Sequence, residues 1–276
     1  MLELRTIPWS ARIGLVLTFT FVFVAVFADL VAPYSNTEVV GDVWEPVFGE
    51  HILGTDNLGR DLLSRMIYGA RTTIFVAAMA TALSFSLGSI LGFTAAVIGG
   101  IVDQAMSRAV DLLMAIPTLI FALVVLSVLP GTLIVLILVM GILDSTRVYR
   151  LARAVAVDIT VMDFVEAARL RGEGRIWIIF REILPNALSP LVAELGLRFI
   201  FAVLFLSALS FLGLGVQPPD ADWGGMVKEN KEGIVFGIPA ALIPAAAIAA
   251  LAISVNLVAD WVLNRTTDLK GGRGNG

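Results

Sequence analysis

Two stretches of the chain, Thr72 to Val102 and Leu112 to Leu143, contain no charged residue at all. A bilayer core is about 30 Å thick, and roughly 20 apolar residues of helix cross it. Backbone polar groups in lipid must bond within their own segment, so uninterrupted apolar runs of this length are expected to be helices. The composition agrees: 58% of the residues are hydrophobic, 15% are charged, and the mean hydropathy is +0.91. A soluble domain is nearer half apolar and about a quarter charged. The fold class expected is therefore all-α and polytopic, in contact with membrane lipid.

Six spans are predicted. Ile13 to Ala32 supplies the first, interrupted only by Asp29. Arg5 and Arg12 precede it as in a signal peptide, but the apolar run exceeds the roughly 7–15 residues of such a segment and lacks a small-residue cleavage site, so a retained anchor is expected. Thr72 to Val102 makes the second span. Leu112 to Leu143 is too long for one crossing at about 1.5 Å per residue. Pro130-Gly131 in its middle predicts a tight hairpin between a third and a fourth span, whose outer parts run past Asp111 and Asp144. Phe199 to Val216, beginning near Leu191, makes a fifth, and Ile234 to Ala259 a sixth.

Loop charges set the expected orientation. With the N-terminus inside, the cytoplasmic side holds Arg5, Arg12, Arg108, every arginine from Arg147 to Arg181, and Arg265, Lys270 and Arg273. The external side holds only Arg60, Arg65, Arg71, Lys228 and Lys231. Both termini are thus expected on the cytoplasmic side. The chain divides into residues 1–71 (first helix and external loop), 72–264 (a five-helix core with a cytoplasmic loop at 153–190) and a tail at 265–276.

The chemistry is bounded by what is missing. There is no cysteine and one histidine, His51, so thiolate and paired-histidine metal sites are excluded, and no metal site or catalytic residue is assigned. A net charge of −4 argues against nucleic acid. None of the three lysines lies in a phosphate-cradling Gly-Lys-Ser/Thr context, so no ATP-binding P-loop is expected in this chain. A membrane hydrolase would need a nucleophile and base, of which only a Ser/Lys pair stays open. An ion-coupled secondary transporter also stays open.

Two connections exceed what a connector needs. Tyr34 to Arg71 is external, and Asp61 to Tyr68 reads as an amphipathic helix lying on the membrane surface. His51 is expected to be exposed there. In the cytoplasmic loop, Thr160-Val161-Met162-Asp163 has capping-box-like spacing ahead of Phe164, Ala167, Ala168 and Leu170. Gly172 supplies a left-handed stop, and a second helix, Arg175 to Leu184, ends at Pro185. So short a helix is marginal alone, which implies something docked against it; an ordinary interfacial loop is the alternative. Ser84, Gly88, Gly92, Ala96 and Gly100 recur every four residues, predicting close packing against another helix and suggesting a partner within the membrane.

Charges within spans are costly when they face lipid. Asp144 with Arg147, and Glu194 with Arg198, have helical spacing for pairing, and Asp111 lies on a neighbouring span. Internal pairing is the favoured reading and contact with a passing zwitterionic solute the alternative. Trp9, Trp223 and Trp261 are expected as interfacial anchors.

Glu166-Ala167-Ala168, Gly172 and Ile183-Leu184-Pro185 resemble the EAA signature of permease subunits in ATP-binding-cassette importers. Leu53-Gly54-Thr55-Asp56, Leu58-Gly59-Arg60-Asp61, Ser64-Arg65 and Tyr68-Gly69-Ala70-Arg71 are similar to the external segment of the dipeptide/oligopeptide branch. So are Phe211 to Pro219, with Gly213, Gly215, Pro218 and Pro219, followed by Trp223-Gly224; Asn256 and Asp260 resemble its C-terminal pattern. The resemblance reaches to about Asp268 and points to the second of two homologous permeases. Departures are Glu182, Arg171 and Glu173, where apolar or small residues are usual, and Ala259 in place of a glycine.

The resemblance implies a type I importer permease with a cytoplasmic coupling helix. It implies a homologous second permease, two cytoplasmic ATPases using ATP and Mg, and an external substrate-binding protein. No cofactor is expected in this chain. Within the ATPase-coupling set Glu166 would make a polar contact, Ala167 and Ala168 would allow close approach and Gly172 the sharp turn, with Ile183, Leu184 and Pro185 completing it. Relatives in that family also move nickel complexes, glutathione, opines or oligosaccharides.

Overall fold

The computed structural model describes the backbone of residues 8–271 and the side chains of residues 8–263. Arg5, Arg273, and the side chains of Arg265 and Lys270 in the expected tail lie outside the described residues. The described chain is helical, with no strand and only two isolated bridges, Val39 to Arg60 and Thr55 to Asp61, in the outer loop.

The helices are α1 (Trp9–Val26), α2 (Ala28–Val31), α3 (Leu62–Ile98), α4 (Gly100–Ala115), α5 (Thr118–Val128), α6 (Leu133–Thr160), α7 (Asp163–Leu170), α8 (Arg175–Trp177), α9 (Leu184–Phe211), α10 (Trp223–Asn230) and α11 (Leu242–Gly271). A π-helical turn, Ile178–Ile183, joins α8 to α9, so Arg175–Phe211 is one helical run. Four segments have the length and apolarity of a membrane span: Trp9–Val26, Leu62–Ile98, Arg175–Phe211 and Pro239–Leu263. The pair α4 and α5, bent by 85°, makes a fifth. α6 is long enough, but Asp144, Arg147, Arg150 and Arg153 interrupt its inner half.

Several expectations are corrected. Asp61 to Tyr68 forms no separate surface helix; Asp61 caps α3 by accepting from Ser64 N (2.7 Å) and Ser64 Oγ (2.6 Å), and Leu62 opens the long helix itself. The second span stops at Ile98, because Gly99 and Gly100 both take positive φ. The third is broken at Ile116-Pro117, where proline lacks the N–H that would continue the helix. Pro185 does not end a helix either. The π-turn before it widens the backbone, with Leu184 N donating to Ile179 O, so the chain passes the proline unbroken. The Pro130-Gly131 hairpin is where it was expected, between α5 and α6.

Burial is concentrated in three clusters. Val76, Ala80, Leu136, Met140, Leu206 and Leu209 tie α3, α6 and α9 together in the middle. Leu62, Ala70, Val203, Trp223, Met226 and Leu251 tie α3, α9, α10 and α11 on the outer side. Phe93, Ala152, Ala156, Val165, Ile178, Ile183 and Ala187 tie α3, α6 and α7 to the start of α9 on the inner side. The small-residue face of α3 is filled by α6 of the same chain rather than by a partner. A Cβ at Gly88 would stand 2.7 Å from Ser145 O, and one at Gly92 2.8 Å from Tyr149 O. Gly100 has left that face and meets nothing within 4 Å.

Candidate functional site

The outer loop is locked by a buried charge cluster. Asp56, fully buried, accepts from Leu58 N (2.8 Å), Arg60 N (3.0 Å), Arg60 Nε (2.7 Å) and Arg65 Nη1 (2.6 Å). Glu229 on α10 accepts from the same two arginines at 3.0 and 2.6 Å. Burial pushes the Asp56 carboxyl up, but the two backbone donors and both guanidiniums outweigh it and hold the group below the usual carboxylate range. Gly54 and Gly59 sit at φ +74° and +76°, each against a backbone carbonyl, of Glu45 and Gly41, where no side chain fits. The loop is also stitched to α10 through Asn230, whose side-chain oxygen accepts from Trp44 Nε1 (3.2 Å) and Asn57 N (2.9 Å).

Two further residues there are placed differently from expectation. His51 is buried, with its ring nitrogens 3.6 Å from Asp61 and 3.8 Å from Glu45. Trp223 is a core residue rather than an interfacial anchor: it is 1% exposed, its Nε1 donates to Met66 O (3.0 Å), and Phe21 meets it edge-on. Trp9, by contrast, is 76% exposed. Gly213 ends α9 at φ +93°, with Leu214 N returning to Leu209 O (2.9 Å). Gly215 lies flat on Ser210, and Pro218-Pro219 leads into α10. Asp222 caps α10 through Gly224 N (3.0 Å) and Gly225 N (3.3 Å); burial pushes its carboxyl up to about 6.

On the inner side, α7 presents one face and buries the other. Val165 and Ala168 are fully buried against α6 and the π-turn, while Glu166, Ala167, Arg169 and Leu170 are exposed. Ala168 therefore anchors the helix instead of meeting a partner. Gly172, at φ +83°, makes the expected stop: Gly172 N bonds Arg169 O (3.0 Å) and Glu173 N bonds Ala168 O (3.2 Å). The start differs, because Thr160 belongs to α6 and donates to Val157 O (2.8 Å), and α7 has no side-chain cap. Ile183 is fully buried in the π-turn, Leu184 packs against the same cluster, and Pro185 is exposed. Arg171 and Glu182, two departures from the resembled pattern, face each other at 3.9 Å, and the Arg171 guanidinium lies over Trp177. Another departure, Ala259, sits against Gly196, where the missing side chain leaves room for its methyl.

The charges in the helical bundle are partly paired. Arg150 donates to Asp111 (2.6 Å) and Arg153 to Asp103 (2.6 Å), fastening α4 to α6. Sequence reading missed that second pair, whose members are far apart in the chain. Arg198 donates to Glu194 (2.7 Å) and to Asp144 (3.5 Å), bridging α9 to α6. Asp144 and Arg147 line a cavity of about 530 Å³ between α3, α5, α6 and α9, whose other walls are chiefly apolar, among them Pro117, Met140, Phe201 and Phe205. Asn256 donates to Asp260 at 3.4 Å at an exposed site. Among the described residues no group of acidic side chains and histidine could hold a metal ion.

Comparison with known proteins places this architecture. Residues 84–268 match the family of binding-protein-dependent transport system inner membrane components. A di/tripeptide transport system permease protein of Pseudomonas aeruginosa is 34% identical over 254 residues, 90% of this chain and 84% of that protein. A dipeptide transport system permease protein of Escherichia coli is 35% identical over 258 residues, 91% and 86% of the two chains. Among solved structures, a chain of the MetNI methionine ABC transporter in inward-facing conformations matches with a TM-score of 0.53 and 18% identity, over 74% of this chain and 97% of that one. The fold is thus that of a type I ABC importer permease. The chain belongs to the binding-protein-dependent transport system inner membrane component family, and is a multi-pass permease subunit of an ABC importer.

Proposed function

We infer that this chain forms half of the pathway of an ATP-driven importer of di- or oligopeptides. Its partners are a homologous permease, two cytoplasmic ATPases that bind ATP and Mg, and an external binding protein. The observation that carries the reading is α7: a short helix held by Val165 and Ala168 while Glu166 and Ala167 are exposed, with nothing on them among the described residues. Closure of an ATPase dimer would move that face, and the helical run Arg175–Phe211 would carry the motion into the bundle. The pathway then alternates between outward-open and inward-open states whose balance nucleotide shifts. The peptide assignment rests on the transport names of the relatives.

Six crossings with both termini cytoplasmic fit the loop charges, with α6 as the crossing whose inner half is charged. Cysteines at Asp220 and Gly174, both exposed, test this: the first should label from outside intact cells and the second only after permeabilisation. The central test is reconstitution. The complete complex should take up peptide only with ATP and loaded binding protein, and this chain alone should take up nothing. Uptake by the lone chain under an ion gradient would replace the reading with a secondary transporter.

A further inference from the structure

The cavity between α3, α5, α6 and α9 is lined by one guanidinium, that of Arg147, with only loose contacts among the described residues. Arg198 is committed to Glu194 and Asp144. Arg147, one turn from Asp144, makes no hydrogen bond among the described residues; its contacts are Asp144 at 3.9 Å and the face of Phe201, 5.9 Å from the ring centroid. It is 41% exposed and lines the cavity. An arginine presents up to five donors in a planar fork that matches a carboxylate. Arg147 stands roughly 21 Å along α6 from Leu133, about midway along the helix, with its donors open to the cavity. The neighbouring charges do not remove its appetite for an anion, because Asp144 is held more closely by Arg198.

The geometry points to Arg147 as a pathway residue that binds the carboxylate of a small solute, with the solute's apolar side chain against Leu119, Met140, Phe201 and Phe205. This rests on the peptide-import reading and specifies the chemistry within it. A cavity of about 530 Å³ is in the range of small-ligand sites. Charge-assisted bonds of this kind are worth about tenfold or more in affinity.

The test uses the complete purified importer, freed of binding protein, in nanodiscs of phosphatidylcholine and phosphatidylglycerol. Binding of Ala-Phe and of its C-terminal amide is measured by equilibrium dialysis. Wild type should prefer the free acid by tenfold or more, Arg147→Gln should bind both alike, and Arg147→Lys should keep part of the preference. Equal binding of acid and amide by wild type overturns the assignment, as does a preference unchanged in Arg147→Gln. If the preference is absent with phosphatidylglycerol and appears only when it is left out, or if Arg147→Gln prevents the second permease from co-purifying, the residue serves a lipid headgroup or the subunit interface and the inference is wrong. Peptide uptake by the wild-type complex in proteoliposomes is run alongside: its absence removes the peptide-import reading, whereas uptake without acid preference removes only the role of Arg147.

Discussion

The outer loop and the cytoplasmic turn are both rich in charge and use it in opposite ways. Outside, Asp56 and Arg65 are almost wholly buried, and with Arg60 and Glu229 they form a set in which each carboxylate has its guanidiniums. Inside, Glu166 and Arg169 stand exposed on a helix whose apolar side is pinned. A buried, mutually paired charge fixes a shape and keeps nothing for another molecule. A surface charge on a rigid support costs little while alone and stays ready to pair. On the proposed topology the outer face is the one that holds its form, and the inner face is the one left free to be met.

The largest effect should come from breaking the outer set. Asp56→Ala would leave Arg60 and Arg65 facing each other with only Glu229 between them, and removing one member of a buried pair costs about 3–5 kcal/mol. Glu166→Ala, at an exposed position, should change stability by no more than about 0.5 kcal/mol. Thermal midpoints of the two purified complexes, and protease sensitivity near Trp44, measure this difference. Equal midpoints would erase the contrast between the two faces.

Protonation sharpens the same contrast, because Asp222 lies in the outer region and behaves oppositely to Asp56. Asp56 is held below the normal carboxylate range, so its contribution is present above about pH 4 and is lost as pH falls through its folded value. Asp222 is raised to about 6 from 3.8 by burial. Its ionisation therefore costs nothing below about pH 4, costs progressively more up to about 6, and costs fully above it, by linkage at most roughly 3 kcal/mol. Asp222→Asn keeps a good helix cap and removes the buried charge. It should raise the midpoint at pH 7.5 and leave it unchanged near pH 4; a variant less stable at pH 7.5 would mean the charge itself is used.

What the sequence disclosed follows from distance along the chain. The Pro130-Gly131 hairpin, the Gly172 stop and the Glu194 to Arg198 pair are all local, set by residues within one or two turns of each other. The Pro117 bend is local too, and the reasoning that found Pro130 would have found it had the long apolar run been searched for a second break. Pro185 misled because a proline stops a regular α-helix, whereas a π-turn lets the chain run on. The burial of Trp223 depended on partners far away in the chain, Met66, Thr73 and Phe21, whereas His51 is buried by near neighbours, Glu45 and Asp61, in an irregular loop that has no period to read. The small-residue face of α3 was correctly read as tight packing, yet spacing alone carries no address, so its occupant α6 could not be named. The helix α7 and its glycine stop were legible but its orientation was not: nothing in Glu166-Ala167-Ala168 says that the second alanine turns inward.

A middle-sized effect is expected at the inner turn. Gly172 lies at φ +83° with open space where a Cβ would go, so Gly172→Val strains only the backbone, by about 1–2 kcal/mol. The helical bundle should survive and the complex reach the membrane, while binding-protein-stimulated hydrolysis or the uptake tied to it falls. Glu166→Lys should do the same with hardly any change in stability. Both variants are read by assaying stimulated ATPase activity beside peptide uptake. Wild-type coupling in both would return this turn to the status of a plain connector.

The smallest effect belongs to the pair that most resembles the outer cluster. Arg171 and Glu182 approach to 3.9 Å across the turn between α7 and the π-turn, and Trp177 lies beneath the guanidinium. Were the two faces alike, this pair would clamp the turn as Asp56 clamps the outer loop. It differs in burial: Arg171 is 56% exposed, whereas Arg65 is 2% exposed. Exposed ion pairs give about 1 kcal/mol or less, and an exposed cation over an aromatic ring adds about 0.5–1 kcal/mol. A double-mutant cycle on Arg171→Ala and Glu182→Ala should therefore return a coupling below about 1 kcal/mol, shrinking as salt is added. Arg171→Ala alone should cost slightly more than Glu182→Ala, because it also strips the ring contact. A salt-insensitive coupling above about 2 kcal/mol would show the turn to be clamped from within. The inner face would then hold its shape by the same means as the outer one, and its exposed charges would no longer mark it as the face built to be met.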